Sequence, residues 1–288
     1  MSKRFRKITG NVLFGIVIVV ILFYLAFPFY WAISSSLKTE TQLQMTPATL
    51  IPLHPIEKSF FPTLNNYQAI LSNPRFIQGF INSLITAVCT TGISLLLGSF
   101  AGFAIGKLRF RGKTASMYAI LAMTMFPQVT VLSGLYAAIT QLQLSAIPGM
   151  ILSYLIFTLP FTAWVLSAFF RELPSSLMQA AEVDGATPFQ TFYKILLPLA
   201  SPALVTTGLL SFIAAWNEYL FALTFTSIEP SARTVPVVIS LFTGEVMRQE
   251  PFGEIMAGTV LVTLPLIVLV LIFQNRIIDG LTAGAVKG

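Results

Sequence analysis

Charged residues, cysteine and histidine are scarce in this chain of 288 residues. Only 10% of the residues are Asp, Glu, Lys or Arg, whereas 55% are hydrophobic and the mean hydropathy is +0.81. An ordinary soluble domain carries about 25% charged residues, so this composition excludes that class and predicts a polytopic membrane protein. The single cysteine, Cys89, cannot form an internal disulfide, and its position in an apolar run predicts buried packing.

Residues that carry enzyme chemistry are also scarce. The only histidine, His54, lies between prolines without a second candidate ligand, so no metal site is predicted. Gly112, Lys113 and Thr114 match the end of a phosphate-binding loop. That motif requires four residues between its glycines, however, and five separate Gly106 from Gly112. With no Ser/His/Asp set either, the chain is not expected to be an enzyme.

Long apolar runs predict an all-α polytopic fold with six transmembrane helices. We expect residues 1–10 to form a cytoplasmic N-terminus, 11–33 the first transmembrane helix, 34–75 an external loop and 76–288 a core with the other five helices. In that core, residues 171–200 are a cytoplasmic loop, residues 227–250 an external loop and residues 274–288 a cytoplasmic tail.

The helices of the core are predicted from apolar runs and from the prolines and polar segments that interrupt them. Their expected bounds are residues 76–106, 115–138 with a kink at Pro127, 150–170 with a kink at Pro160, 202–226 and 255–273. Small residues in the first of these predict close contact with another helix, namely Gly92, Gly98, Ala101 and Gly102.

The distribution of basic residues orients the predicted helices. With both termini inside, twelve of the 17 Lys and Arg residues lie on the cytoplasmic side, and the outer loops hold Lys38, Lys58, Arg75, Arg233 and Arg248. Because cytoplasmic segments carry the excess of basic residues, this orientation follows the positive-inside rule. The net charge of +6 therefore reports membrane topology and not nucleic-acid binding.

Residues 174–198 are a polar island between apolar runs, and they predict two short helices joined at a glycine. Ser176 and Gln179 form a candidate capping box, and Gly185 suits the left-handed end of the first helix. A second box, with Thr187, Pro188 and Gln190, begins the second helix. That helix carries an apolar stripe and is predicted to end at Pro198. The stripe consists of Phe189, Phe192, Tyr193 and Leu196.

The same island resembles the "EAA" cytoplasmic loop of binding-protein-dependent ABC importers. In that pattern a glycine stands four positions after the second alanine, and nine residues then precede I-x-L-P. The matching residues here are Ala180, Ala181, Asp184, Gly185, Ile195, Leu197 and Pro198. One position departs, because Gln179 stands where the family has glutamate. The run VDGATPFQTFYKILLPLASPAL, together with W-N-E at 216–218 and the glycine-rich ending, resembles the carbohydrate-uptake (maltose-type) permeases, specifically their shorter subunit.

The resemblance implies a function and partners. It implies that the chain is a permease subunit of a bacterial ABC sugar importer in the inner membrane, carrying a di- or oligosaccharide or a glycoside. The partners would be a second homologous permease, two cytoplasmic ATPase subunits and an external sugar-binding protein. ATP and Mg²⁺ would bind to the ATPase subunits, with no cofactor on this chain. The island would be the coupling loop, and tail residues Gly284, Lys287 and Gly288 would also contact the ATPase.

A second candidate site lies in the predicted fifth helix. Glu218 is the only acidic residue within an apolar stretch, and an ionisable group at membrane depth is normally paired, wetted or functional. Trp216, Asn217 and Glu218 could line the substrate pathway, or they could hold helices together near the outer end of the span. A different function, an ion-coupled secondary transporter with Glu218 as its relay, is the alternative to the importer.

Overall fold

In the computed structural model, residues 3–242 and 251–283 are described, and they form helices with one isolated bridge between Leu53 and Phe60. The long helices are joined by short helical segments. The elements are α1 (Lys3–Ser36), α2 (Glu40–Leu43), α3 (Asn65–Ser72), α4 (Pro74–Lys107), α5 (Lys113–Met125), α6 (Gln128–Gln141), α7 (Ala146–Glu172), α8 (Ser176–Val183), α9 (Pro188–Thr191), a π-helix (Phe192–Leu196), α10 (Leu197–Leu199), α11 (Ser201–Trp216), α12 (Leu220–Phe225), a 3₁₀ turn (Pro230–Ala232), α13 (Val235–Ser240) and α14 (Phe252–Ala283).

Four helices of the described chain are long and apolar enough to cross a membrane. They are Asn11–Ser36 within α1, Pro74–Lys107, Ala146–Glu172 and Phe252–Asn275 within α14. Two bent pairs pass the same test when each pair is taken together, so the described chain has four candidate spans, or six if each bent pair crosses as one span. The pairs are α5 with α6, and Pro188–Leu199 with α11. The all-α polytopic fold predicted from the sequence is therefore confirmed.

The predicted third helix, residues 115–138, is not one kinked helix. It consists of α5 and α6, whose axes meet at 98°. Phe126 and Pro127 between them are extended, with ψ angles of 129° and 120°. A proline disfavours the α region in the preceding residue and removes one backbone donor, which explains the break. Pro160, in contrast, stays inside the continuous helix α7.

The predicted fifth helix, residues 202–226, is also interrupted. Helix α11 ends at Trp216, and the chain enters the short helix α12 only at Leu220. The interruption leaves backbone groups without partners inside an apolar segment, so polar side chains must satisfy them.

Helices α4 and α7 pack closely because glycines on α4 leave no room for side chains. A Cβ at Gly98 would lie 2.5 Å from Thr162 Cγ2, and one at Gly102 would lie 2.9 Å from Leu166 Cβ. One turn further, a Cβ at Gly106 would lie 2.8 Å from Phe170 Cβ. The contacts advance in the same direction along both helices, which are therefore parallel.

The predicted close contacts are confirmed at Gly98 and Gly102 and wrong at Gly92. A Cβ at Gly92 would meet nothing within 4 Å, and the contact at Gly106 was not predicted. Cys89, on the same helix, is exposed and not buried as expected. An apolar run alone cannot distinguish a side chain packed in protein from one that faces lipid, because both surroundings are apolar.

By its internal contacts the chain divides into two units, Met1–Phe76 with Leu241–Thr263, and Ile77–Ser240 with Leu264–Gly288. In the first unit, the segment after α1 folds onto the end of that helix. The Nδ2 atom of Asn66 donates to the carbonyls of Ser36 and Lys38, at 2.8 Å each. The Lys38 ammonium donates to the Thr49 carbonyl and lies 4.8 Å from the centre of the Trp31 ring. Burial lowers the pKa of Lys38.

We expect Gly102→Ala to destabilise the protein and Gly92→Ala not to. The added methyl group at position 102 would also lie 3.0 Å from the Ser167 backbone nitrogen, so relief requires α7 to move. Overpacking of this kind costs about 1–3 kcal/mol, whereas alanine at an open helical site gains up to about 1 kcal/mol over glycine. Thermal unfolding of the purified protein in detergent measures both effects. Equal midpoints for the two variants would contradict the close contact of α4 with α7.

Candidate functional site

The predicted coupling loop, residues 171–200, contains the expected pair of short helices. Helix α8 ends in a Schellman motif, because Ala186 N–H donates to the Ala181 carbonyl at 2.9 Å and Gly185 N–H to the Glu182 carbonyl at 3.0 Å. Gly185 has a φ of +77°, which confirms the predicted left-handed end. These hydrogen bonds turn the chain sharply between α8 and α9.

The start of α9 follows the sequence prediction. The Thr187 hydroxyl accepts from Gln190 N–H at 3.2 Å, while Gln190 Oε1 accepts from Thr187 N–H at 2.8 Å, and Pro188 is the first helical residue. This reciprocal capping box satisfies two donors that the first turn would otherwise leave free.

The predicted capping box at the start of α8 is wrong. Ser175 precedes the helix, and neither its hydroxyl nor that of Ser176 caps the first turn. Ser175 already has helical angles (φ −66°, ψ −22°), and its carbonyl accepts from Gln179 N–H at 3.2 Å. Because the helical conformation begins before Ser176, the hydroxyl of Ser176 is not placed at the N-cap. Gln179 is exposed.

The helix does not end at Pro198 as predicted. The chain widens into a π-helix at Phe192–Leu196, in which Leu197 N–H donates to the Phe192 carbonyl, and continues through Pro198 as α10. Proline lacks the N–H that an α-helix needs at this position, and the wider turn accommodates it without ending the helix. The direction then changes by 76° before α11.

Aromatic and aliphatic side chains fix the coupling loop to the bundle. Phe192 is 2% exposed, with ring centroids 4.9 Å from Phe103 and 6.1 Å from Phe170. Leu196, fully buried, belongs to the same cluster as Ala200. We name this cluster of Phe103, Leu166, Phe170, Phe192, Leu196, Ala200 and Ala203 the anchor cluster. It connects the loop directly to α4 and α7.

The other half of the predicted apolar stripe is not buried. Phe189 is 59% exposed and Tyr193 is 43% exposed, and their ring centroids lie 5.3 Å apart. Val183, at the end of α8, is 88% exposed. The loop thus presents an apolar surface outward as well as inward, which is the condition expected of a segment that docks on a partner.

The residues that match the family pattern divide in the same way. Ala181 is 3% exposed and packs within the chain, while Ile195 and Leu197 are half-buried. Exposed members are Gln179, Ala180, Asp184, Gly185 and Pro198. A Cβ at Gly185 would meet nothing within 4 Å, so this glycine is required here by its backbone angle and not by close packing. Gly284, Lys287 and Gly288 lie outside the described residues.

The structure brings Trp216, Asn217 and Glu218 to the interruption between α11 and α12 but does not make them one surface. Trp216 is 1% exposed and packs against Phe80 and Phe212, at centroid distances of 5.4 and 5.6 Å. Its ring therefore cannot bind a sugar face in this conformation. Asn217 is exposed, with its backbone at the end of α11.

Glu218 caps the helix that follows the interruption. Its Oε1 atom accepts from Phe221 N–H at 2.9 Å and its Oε2 atom from Ala222 N–H at 3.0 Å. A carboxylate at a helix N-terminus satisfies free donors and favours the helix dipole. The acidic residue in the apolar stretch is thus explained by the chain's own backbone, a role that the sequence analysis did not consider.

An apolar cavity of about 580 Å³ lies elsewhere in the second unit, between α4, α11 and the part of α14 after Thr263. It is lined by Leu84, Val88, Leu209, Phe212 and Leu269 among others. Neither Asn217 nor Glu218 lines it. This cavity could not be predicted from the sequence, because residues that line a cavity and residues that face lipid have the same apolar composition.

Comparison with known proteins identifies the class to which this arrangement belongs. Residues 94–282 match the family described as "Binding-protein-dependent transport system inner membrane component". The matched range includes the whole coupling loop and the anchor cluster. The chain belongs to this family. It is therefore a multi-pass membrane permease of an ABC importer, and the ion-coupled alternative gains no support.

The relatives of the permease include proteins named as sugar transport subunits. It is 42% identical over 269 residues to the trehalose transport system permease protein SugB of Mycobacterium tuberculosis. The aligned residues cover 92% of this chain and 93% of that protein. It is 37% identical to the trehalose/maltose transport system permease protein MalG of Thermococcus litoralis, over 99% and 98% of the two chains. It is 35% identical to the sulfoquinovosyl glycerol transport system permease protein SmoH of Agrobacterium fabrum, over 91% and 89%.

The fold of the permease also occurs in a solved structure. A crystal structure of a bacterial ABC transporter involved in the import of the acidic polysaccharide alginate contains a chain with a TM-score of 0.80, at 20% identity. The similarity covers 96% of the permease and 98% of that chain. This likeness confirms the ABC importer permease fold predicted from the sequence.

We expect Phe192→Ala to destabilise the permease by about 3–5 kcal/mol, the usual cost of removing a buried aromatic ring. Phe189→Ala, the matched control on the exposed half of the stripe, should change stability by about 0.5 kcal/mol or less. Thermal unfolding in detergent separates the two. Similar losses for both variants would contradict the anchoring role of the buried half.

For Glu218, we expect Glu218→Ala to cost about 1 kcal/mol, because the cap is lost, and Glu218→Gln to cost less, because one acceptor oxygen remains. Glu57→Ala, at an exposed position, is the control. Transport by Glu218→Gln should persist, since a cap needs an acceptor and not a titrating proton. Complete loss of transport in a stable Glu218→Gln variant would instead identify Glu218 as a relay.

Proposed function

We propose that the permease is one of two transmembrane subunits of an importer that moves a disaccharide, oligosaccharide or small glycoside into the cell. The observation that carries this proposal is its 42% identity to a trehalose transport permease over 92% of the chain. Trehalose and maltose, which occur in the names of two relatives, are neutral glucose disaccharides and the first substrates to test.

The proposed complex contains a second homologous permease, two cytoplasmic ATPase subunits and an external sugar-binding protein. The family description, which names a binding-protein-dependent system, supports the last of these. ATP and Mg²⁺ bind and react on the ATPase subunits, and the permease itself performs no covalent chemistry. Both of its termini and the coupling loop lie in the cytoplasm, an orientation supported by the excess of basic residues on that side.

The coupling loop transmits the work of the ATPase to the membrane helices. Its exposed residues, which are Gln179, Ala180, Glu182 to Gly185, Phe189 and Tyr193, seat in the ATPase subunit. Its buried residues Phe192 and Leu196 belong to a cluster that includes Phe103 and Phe170 on α4 and α7. Displacement of the loop on ATP-driven closure therefore displaces these helices, so one conformation of the pathway is favoured over the other. The effect is a coupling free energy between the nucleotide site and the sugar pathway.

Reconstitution tests the proposal directly. The complete complex in proteoliposomes should accumulate labelled trehalose or maltose only with the binding protein present and ATP on the ATPase side. An ionophore should leave this uptake unchanged. Uptake that proceeds without ATP and that the ionophore abolishes would overturn the proposal. A thermal-shift screen of sugars on the binding protein identifies the substrate if neither disaccharide is taken up.

Two neighbouring alanines provide a matched test of docking. Ala180→Trp places the ring outward, so the permease should keep its thermal midpoint but lose ATP-driven uptake and sugar-stimulated ATP hydrolysis. Ala181→Trp places the ring inside the chain, at a residue only 3% exposed, and should lower the thermal midpoint itself. Normal uptake by a folded Ala180→Trp variant would contradict docking of the coupling loop.

A further inference from the structure

Basic residues gather at the end of the bundle where α4 and α7 finish and α5 begins. We name residues 107–113 the basic loop. The basic loop contains four basic residues, Lys107, Arg109, Arg111 and Lys113. Arg171, at the end of α7, is a fifth basic residue at this end. Residues 107–173 contain only one acidic residue, Glu172. The basic loop and the end of α7 together therefore carry five cations and one carboxylate, Glu172, while the neighbouring coupling loop adds Glu182 and Asp184.

Side-chain contacts hold three of the five residues in place. The Lys107 ammonium donates to the carbonyl of Leu173, beyond the end of α7. The Lys113 ammonium donates to the Leu108 carbonyl at 3.2 Å, across the loop. Arg171 Nη2 lies 3.1 Å from Met117 Sδ, on the second turn of α5. Both lysines are thus used to fix the backbone of the basic loop.

The two central arginines have no such role. Arg109 and Arg111 are exposed, and within the described residues neither makes a hydrogen bond or an ion pair. Phe110 between them is 43% exposed. An apolar ring flanked by two unpaired guanidinium groups matches a surface with anionic oxygens above an apolar layer, because guanidinium binds phosphate with parallel hydrogen bonds.

The basic loop lies at the end of a helix that is long and apolar enough to cross a membrane. It joins this helix, α4, to α5 in only five residues, so it follows directly on the end of α4. Helix α5 has no buried residue among its 13, and Tyr118 on it is 64% exposed. A helix without buried residues lies at the edge of its own bundle, a position from which lipid can be reached.

We propose that the basic loop is a binding site for anionic phospholipid headgroups. Arg109 and Arg111 bind the headgroup phosphate, Phe110 inserts among the upper acyl carbons, and Lys107, Lys113 and Arg171 add attraction without direct contact. Binding of lipid at this site fixes the orientation of one end of the bundle relative to the membrane plane. This end is the one beside the coupling loop. This inference does not depend on the sugar or on the importer's mechanism.

Lipid titration of the purified complex, followed by native mass spectrometry, tests the site. We expect phosphatidylglycerol to bind more tightly than phosphatidylcholine. Arg109→Gln with Arg111→Gln should weaken phosphatidylglycerol binding about 25-fold, since each basic residue near an anionic surface contributes a factor of about five. Phosphatidylcholine binding should not change. The matched control, Lys58→Gln with Arg75→Gln, removes two exposed cations elsewhere and should leave both affinities unchanged.

Four results would overturn the proposal, three of them from the lipid measurements and the crosslink and one from competition with phosphate. One is equal affinity of the unmodified complex for the two lipids, and another is an unchanged preference in the arginine variant. The third is a photocrosslinker at position 110 that labels an ATPase subunit or the second permease in place of lipid, which would assign the surface to that protein. Inorganic phosphate at millimolar concentration should not displace the lipid. If it did, the arginines would be a site for free phosphate.

Discussion

The close, parallel contact of α4 and α7 is the constraint on which the rest of the second unit depends. Gly98, Gly102 and Gly106 allow the two backbones to approach until a single methyl group would not fit between them. In a bilayer the hydrophobic effect does not drive helices together, because lipid tails are as apolar as the helix surfaces. Close van der Waals contact is therefore a main source of helix association. The contact continues towards the ends of both helices, where the ring centroids of Phe103 and Phe170 lie 6.2 Å apart.

Those two rings create the position into which Phe192 of the coupling loop inserts. The loop is consequently fixed by the membrane helices, although 11 of its 30 residues are charged, Ser, Thr or Gln. Its two faces differ in burial: Phe192 and Leu196 are buried on the inner face, whereas Ala180 and Gly185 are exposed on the outer face. One short segment is therefore packed against the bundle on one side and exposed on the other.

Local signals predicted the local features of the loop. The Thr187–Gln190 capping box and the left-handed Gly185 involve hydrogen bonds or angles within a few residues, and both are confirmed. Pro198 was expected to end a helix for an equally local reason, but the π-helix before it absorbs the missing donor. Propensity describes the usual outcome, and packing of Leu196 and Ala200 against the bundle selects a different one here.

Features that depend on the third dimension could not be predicted from one sequence. Gly92 and Gly98 have the same residue type in the same helix, yet only Gly98 faces α7. Cys89 is exposed and the cavity residues line an open space, yet both lie in apolar sequence that looks the same as that of buried residues. The sequence identified Glu218 as an unusual residue but did not predict its partners. Its carboxylate oxygens accept hydrogen bonds from backbone N–H groups three and four residues ahead. Those N–H groups are free only because α11 ends at Trp216.

The interruption of the fifth helix also bears on how the permease handles its substrate. A sugar in an apolar pathway requires hydrogen-bonding groups, yet Trp216 is buried, Glu218 is occupied by its own backbone and the cavity beside α11 is apolar. Of the three residues that the sequence placed on the pathway, only Asn217 is exposed. Within the residues that the structure describes, the interruption between α11 and α12 thus offers a sugar few polar contacts, because its acidic side chain stabilises the start of a helix instead.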